Sequence, residues 1–214
     1  MNDFTNSFNE ISDLLQKGKA KDIVSAVENA LKEGASPADI LQNGLIEGMN
    51  VIGEKFKNNE IFVPEMLIAA RAMTRATGVL KPAMIEAGVE PVGKGIICTV
   101  KGDLHDIGKN LVKMMIEGKG IEMQDLGVDC PDEKIVEAVR GSDAKVLCLS
   151  ALLTTTMMAL KDSIDALKAA GLRDKVKIMV GGAPITQSFA DEIGADAYSP
   201  DAASAAEACR AFYN

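Results

Sequence analysis

Up to Gly88, apolar residues recur at helical spacing and no strand-like run interrupts them. Phe4, Phe8, Ile11, Leu14 and Leu15 fall on one face, and Gly18 ends the pattern. Ile23, Val24, Val27, Ala30 and Leu31 repeat it as far as Gly34. Ser36-Pro37 reads as an N-cap followed by proline in the first turn, with Asp39 close behind. That third helix is predicted to run through Ile40, Leu45, Met49, Ile52 and Phe56. After the polar turn Lys57-Asn58-Asn59-Glu60, Pro64-Glu65 opens a fourth helix that reaches Met84. Four helices joined by short polar turns predict a four-helix bundle. The stretch 86–95 has two glycines close to Pro91 and breaks the helical period. It reads as a linker, with a helical cap domain over 1–88 and a second domain over 89–214.

Beyond the linker the period alternates. Short apolar runs at 95–100, 122–126, 145–150, 176–181 and 196–199 read as strands. Helical patterns lie between and after them, at 107–118, 132–140, 157–170, 185–193 and 202–213. Strands separated by helices predict a parallel sheet covered on both faces. Five such units suit an open α/β flavodoxin-like (Rossmann-like) sheet of order 2-1-3-4-5 rather than a closed barrel of eight.

Composition narrows the possibilities. A chain of 214 residues with 47% hydrophobic residues can bury two cores, and no apolar run approaches membrane-spanning length. Met1-Asn2-Asp3-Phe4 leads directly into the first amphipathic pattern, so the expected location is cytoplasmic with no membrane partner. A net charge of -8 argues against nucleic acid, which needs a basic face. Cys98, Cys130, Cys148 and Cys209 form no CxxC pair, which disfavours a zinc site or a disulfide framework.

His105 is the chain's single histidine, in Lys101-Gly102-Asp103-Leu104-His105-Asp106-Ile107-Gly108. This stretch lies between the apolar run Ile96-Ile97-Cys98-Thr99-Val100 and a helical pattern. Open parallel sheets bind ligands beyond the carboxyl ends of their strands, where the strand order reverses. In order 2-1-3-4-5 that point lies between strands 1 and 3. The loop after strand 1 carries His105. The loop after strand 3 carries Ser150, Thr154, Thr155 and Thr156, and the loop after strand 4 carries Gly181-Gly182. A carboxylate two residues before an imidazole can fix its tautomer and leave the other nitrogen as ligand or base. Helix capping explains one of the hydroxyls; the others offer partners to a polar ligand or to Asp103. Gly181-Gly182 leaves room for a flat or extended group. No phosphate-binding GxGxxG or P-loop follows a strand, and no GxSxG nucleophile elbow exists.

Asp103-Leu104-His105-Asp106-Ile107-Gly108, Ser150-Ala151-Leu152 and Gly181-Gly182 together resemble the cobalamin-binding pattern DxHxxG…SxL…GG. Residues 48–56 and Phe62-Val63-Pro64-Glu65-Met66 resemble the helical cap of methyl-transferring corrinoid proteins. The whole chain is similar to the small corrinoid proteins of methanol, methylamine and glycine-betaine methyltransferase systems, and to the cobalamin-binding modules of methionine synthase. The resemblance implies cobalamin or a related corrinoid, with His105 as the lower axial cobalt ligand in place of the cofactor's own dimethylbenzimidazole base. It implies Asp103 on the far ring nitrogen and the Thr156 hydroxyl next in a ligand-tuning relay. Gly102, Leu104, Asp106, Ile107 and Gly108 surround that ligand. Ser150, Leu152 and Thr154 would lie by the nucleotide tail, Gly181 and Gly182 would flank it, and Ala202 would lie near it. Phe56, Val63 and Gln42 match cap positions over the methyl-bearing face and corrin edge.

The function implied is a methyl carrier rather than a complete enzyme. It would accept a methyl group on cobalt from a substrate-specific methyltransferase and pass it to a second one. A reductive activase would restore oxidised cobalt, and the linker would let the cap move. Two alternatives are a cobalamin-dependent sensor or regulator and the corrinoid subunit of a mutase. A DNA-binding segment is expected of the sensor, whereas residues 1–20 are short and weakly basic. The methyl-type cap disfavours the mutase.

Overall fold

The computed structural model describes residues 4–88 and 91–214. Its contacts divide the chain into two compact units, Met1–Pro91 with Gly118–Gly120, and Val92–Glu117 with Ile121–Asn214. The expected boundary after Gly88 adjoins Val89 and Glu90, which lie outside the described residues.

In the first unit, α1 (Thr5–Gln16) buries Ile11 and Leu15, and α2 (Asp22–Lys32) buries Ile23, Val27 and Ala30. The third helical stretch is not uniform. A single α-turn, α3 (Pro37–Asp39), passes into a π-helical segment, Ile40–Ile46, and then into α4 (Glu47–Lys57). The wider π turn accompanies three successive buried residues, Gly44, Leu45 and Ile46, a run that an amphipathic α-helical stripe does not produce. Ser36 takes an extended N-cap conformation, but its side chain makes no capping hydrogen bond. The last helix, α5 (Val63–Glu86), starts one residue before Pro64, and the Glu65 carboxylate accepts the Phe62 N–H at 3.1 Å. The unit's core is aliphatic and methionine-rich, with Ile11, Leu15, Ile40, Met49, Met66 and Leu80 almost wholly enclosed.

The second unit alternates strand and helix throughout. It runs β1 (Gly93–Thr99), α6 (Ile107–Glu117), β2 (Ile121–Asp125), α7 (Asp132–Gly141), β3 (Val146–Ser150) and α8 (Met157–Ala169). A 3₁₀ turn at Arg173–Lys175 precedes β4 (Lys177–Gly181), α9 (Gln187–Ile193), β5 (Ala197–Tyr198) and α10 (Ala202–Ala211). All strand pairs are parallel, in order β2-β1-β3-β4-β5. β1 shows why its sequence reads as continuous rather than alternating. Ile96 and Cys98 enter one core cluster with residues of α7, α8 and α9. Ile97 and Thr99, on the opposite side of the pleat, are buried as well, so both faces of the strand are covered. All four cysteines are free and buried.

Register then positions the loops. Thr99 pairs with Ser150, and Ser150 with Gly181. The last residues of β1, β3 and β4 therefore lie side by side, and three loops leave the sheet at one level. No helix among the described residues is long and apolar enough to cross a membrane.

Candidate functional site

The site is built where β1 and β3 end. After Thr99 and Val100 the chain turns through Gly102, whose φ of +82° favours a residue without a Cβ. The turn carries Asp103 back under the loop, where it is completely buried. One carboxylate oxygen, Oδ1, accepts from His105 N at 3.1 Å and faces His105 Nδ1 at 2.7 Å. The other, Oδ2, accepts from Leu152 N at 2.7 Å and Leu153 N at 3.3 Å, and from the Thr156 hydroxyl at 2.7 Å. Burial alone would raise this carboxyl's pKa. The Leu152 N–H, the Thr156 hydroxyl and the two His105 donors outweigh burial and hold it well below the usual carboxylate range.

An ionised Asp103 makes Nδ1 the protonated ring nitrogen. Nε2 then carries the lone pair, the state an imidazole needs to bind a transition metal. The imidazole is half exposed while its aspartate is not. The loops after β1 and β3 and the first turns of α6 and α8 present apolar side chains to solvent: Leu104, Ile107, Leu152, Leu153 and Met158. So many exposed large apolar groups beside one imidazole describe a seat for a broad apolar ligand.

The hydroxyls of the loop after β3 divide. Thr156 stands at the N-cap of α8, but its hydroxyl serves Asp103 instead of the helix. Ser150 contributes its carbonyl, accepting Val100 N at 3.0 Å, and Thr154 is exposed. The two glycines after β4 also differ. A Cβ on Gly182 would lie 1.8 Å from Ala151 O, and its φ is +135°. Close packing of the β3 and β4 loops thus requires this glycine with no ligand invoked. A Cβ on Gly181 would meet Ser199 O at 3.4 Å, an ordinary contact, and one on Gly108 would meet open space.

Asp106 accepts from Asn110 Nδ2 at 3.1 Å at the start of α6, and Ala202 is buried at the start of α10. Gln42 is exposed on the π-helical segment, Phe56 is half-buried near the end of α4, and Val63 is the first residue of α5. These three belong to the helical unit. That unit exposes Phe62, Val63, Leu67 and Ile68 along the first turns of α5.

Three contributors escaped the sequence reading. The buried Thr99 hydroxyl donates to His105 O at 2.8 Å. Asp129 accepts from Gly102 N at 2.7 Å. Lys109, almost wholly buried, reaches Asp125 at 2.6 Å and Asn110 at 2.7 Å, pinning the start of α6 to the end of β2.

Comparison with known proteins follows the same division. Residues 93–210 match the B12 binding domain family, and residues 7–81 match a second B12 binding domain family. The chain is 43% identical over 198 residues to dimethylamine corrinoid protein 2 of Methanosarcina acetivorans, covering 92% of this chain and 91% of the relative. It is 39% identical over 208 residues to monomethylamine corrinoid protein 2 of Methanosarcina mazei, covering 95% of each. Its fold matches a chain of the methanol:cobalamin methyltransferase complex of Methanosarcina barkeri. That match has a TM-score of 0.87 at 29% identity, over 97% of this chain and 80% of the other. Fold and site define a parallel α/β domain presenting one oriented imidazole from an apolar seat. The chain belongs to the family of B12-binding corrinoid proteins.

Proposed function

We propose that this protein is a corrinoid methyl carrier that works with methyltransferases. The carrying observation is the buried Asp103 against His105 Nδ1, at 2.7 Å, with Nε2 left to bind cobalt amid exposed apolar side chains. The donor set suits the group: a neutral imidazole is a good ligand for such a metal, and a corrin is broad and apolar at its faces. The bound corrinoid supplies a cobalt that can take up and give up a methyl group.

The chain's own residues hold and tune the ligand. In this reading His105 would hold the cobalt through Nε2 in place of the cofactor's own base. Asp103 fixes the tautomer and raises the donor strength of Nε2, and Thr156 shares the carboxylate's charge. Leu104, Ile107 and Gly108 would border the corrin, and Ser150, Leu152, Thr154, Gly181 and Ala202 would border the nucleotide tail. On the helical unit, Gln42, Phe56 and Val63 are the proposed corrin-binding residues from their motif positions. Residues 1–88 are the cap and 89–214 the corrinoid-binding domain.

Two relatives are named for dimethylamine and monomethylamine, so a methylamine-specific methyltransferase is the proposed donor enzyme. A second methyltransferase is the proposed acceptor enzyme, and a reductive activase is the proposed further partner. The proposed location is the cytoplasm. The test is reconstitution with hydroxylated corrinoid, followed by cobalt analysis and absorption spectroscopy. One corrinoid per chain, with a spectrum altered by His105→Ala, is expected. No stoichiometric binding, or an unchanged spectrum, would overturn the proposal.

A further inference from the structure

The loop after β2 continues alongside β1 beyond the end of the strand pair. Leu126 N donates to Ile97 O at 2.9 Å, Thr99 N to Gly127 O at 3.0 Å, and Cys130 N to Thr99 O at 3.1 Å. Cys130 and Val100 form one more parallel bridge. Asp129, in this loop, faces the His105 loop twice. Its carboxylate Oδ1 accepts from Gly102 N at 2.7 Å, and its own N–H donates to Asp103 O at 2.9 Å. It does so with a φ of +48°, the left-handed region that few residues other than glycine occupy. Asparagine and aspartate tolerate that region best, and strain of this kind collects at functional sites.

The loop from Gly102 to His105 is therefore held at four backbone points, one of them the Asp103 N–H on Val100 O at 3.2 Å. Asp129 holds the Gly102 N–H and the Asp103 carbonyl, and the Thr99 hydroxyl holds the His105 carbonyl. Between them sits Asp103, whose carboxylate orients the imidazole. A shift of the Asp103 backbone moves that carboxylate, and the ring moves with it.

We propose that Asp129, through its carboxylate on the Gly102 N–H and its amide on the Asp103 carbonyl, is a positioning residue that fixes where the His105 ring stands. The inference rests on reading His105 as the cobalt ligand. It assigns a role in cobalt ligation to a side chain whose hydrogen bond falls on the backbone of the His105 loop.

Two variants separate hydrogen bond from backbone strain. Asp129→Gly keeps the left-handed turn and loses the acceptor. Asp129→Asn keeps the turn and a weaker, neutral acceptor. In the unloaded protein, hydrogen exchange at the Gly102 amide is the first readout. In protein loaded with a cobalt(II) corrinoid, the nitrogen splitting in the electron paramagnetic resonance spectrum is the second. Asp129→Gly is expected to melt with the parent, exchange the Gly102 amide about tenfold faster, and show a broadened or partly lost nitrogen splitting. Asp129→Asn is expected between the two in both readouts. If the glycine variant fails to fold, a parent-like asparagine variant overturns the proposal. A change in melting with unaltered splitting also overturns it, because an ordinary turn residue behaves that way. A parent protein with no histidine nitrogen on cobalt overturns the functional reading and this inference with it. Parent-like splitting in Asp129→Gly overturns the inference alone.

Discussion

Thr156 Oγ1 lies 2.7 Å from Asp103 Oδ2, on the carboxylate whose other oxygen lies 2.7 Å from His105 Nδ1. Both side chains of the first pair are buried. Thr156→Val keeps the shape and deletes a hydrogen bond to a buried charge, which is worth about 1.5–3 kcal/mol. Urea unfolding of the unloaded chain is expected to show a loss in that range. Thr156→Ser, which keeps the hydroxyl, is expected to lose much less. A loss in Thr156→Ser with none in Thr156→Val would mean that the methyl group matters and the hydroxyl does not.

Asp103→Asn changes the tautomer, and it also takes the acceptor away from the His105 N–H. The Leu152 N–H and the Thr156 hydroxyl both point at Oδ2 and need an acceptor there. The carboxamide oxygen must take that side, which turns its NH₂ toward the imidazole. Nδ1 then accepts, and the proton moves to Nε2, the nitrogen assigned to cobalt. Nitrogen NMR of the unloaded protein is simple to read, since His105 is the only histidine. The parent is expected to show Nδ1 protonated and Asp103→Asn to show Nε2 protonated.

The same carboxylate sets an acid limit. Its pKa in the folded chain is held below the unfolded value of about 3.9, so the stability it contributes is fully present above that value. That contribution declines as the pH falls toward the lower, folded value. Asp125 and Asp196 are also lowered once their hydrogen bonds and ion pairs outweigh burial, so acid weakens the domain at several points. Subtracting the Asp103→Asn curve isolates one group. The difference in unfolding free energy between parent and variant is expected to shrink from about pH 4.5 downward. A difference that is flat across that range would contradict the assignment.

Gly108 and Gly182 make opposite predictions for one added methyl group. At Gly182 the Cβ would strike the Ala151 carbonyl at 1.8 Å, so Gly182→Ala is expected to cost more than about 3 kcal/mol and displace the loop after β3. At Gly108 nothing lies within 4 Å, and the residue is in the first turn of α6, where alanine favours the helix by up to about 1 kcal/mol. Gly108→Ala is expected to leave the unloaded chain at least as stable and to weaken corrinoid binding. Unimpaired corrinoid binding by Gly108→Ala would place the ligand elsewhere.

The legible part of this protein is the part that local pattern dictates. Strand and helix alternation after residue 92 makes the sheet parallel, because parallel strands need crossover connections, and five such units suit the order 2-1-3-4-5. That order brings His105, Thr156 and Gly182 to one edge. The illegible part depends on partners distant in sequence. Nothing about Asp129 foretells a bond to Gly102, 27 residues away. Thr99 reads as a strand residue, yet its hydroxyl is spent on the His105 carbonyl. Gly182 reads as clearance for a ligand, whereas the Ala151 carbonyl already requires it. The π-helical turn at Ile40–Ile46 leaves the hydrophobic repeat nearly helical and changes only which residues face inward.

The central proposal is that His105 would hold cobalt through Nε2. With His105 the single histidine, growth on ¹⁵N-histidine labels that side chain alone among the imidazoles. The measurement is the electron paramagnetic resonance spectrum of the labelled protein holding a cobalt(II) corrinoid. Each cobalt line is expected to split into a doublet, the signature of one ¹⁵N ligand. A triplet from the cofactor's own ¹⁴N base, or lines with no nitrogen splitting, would contradict the account.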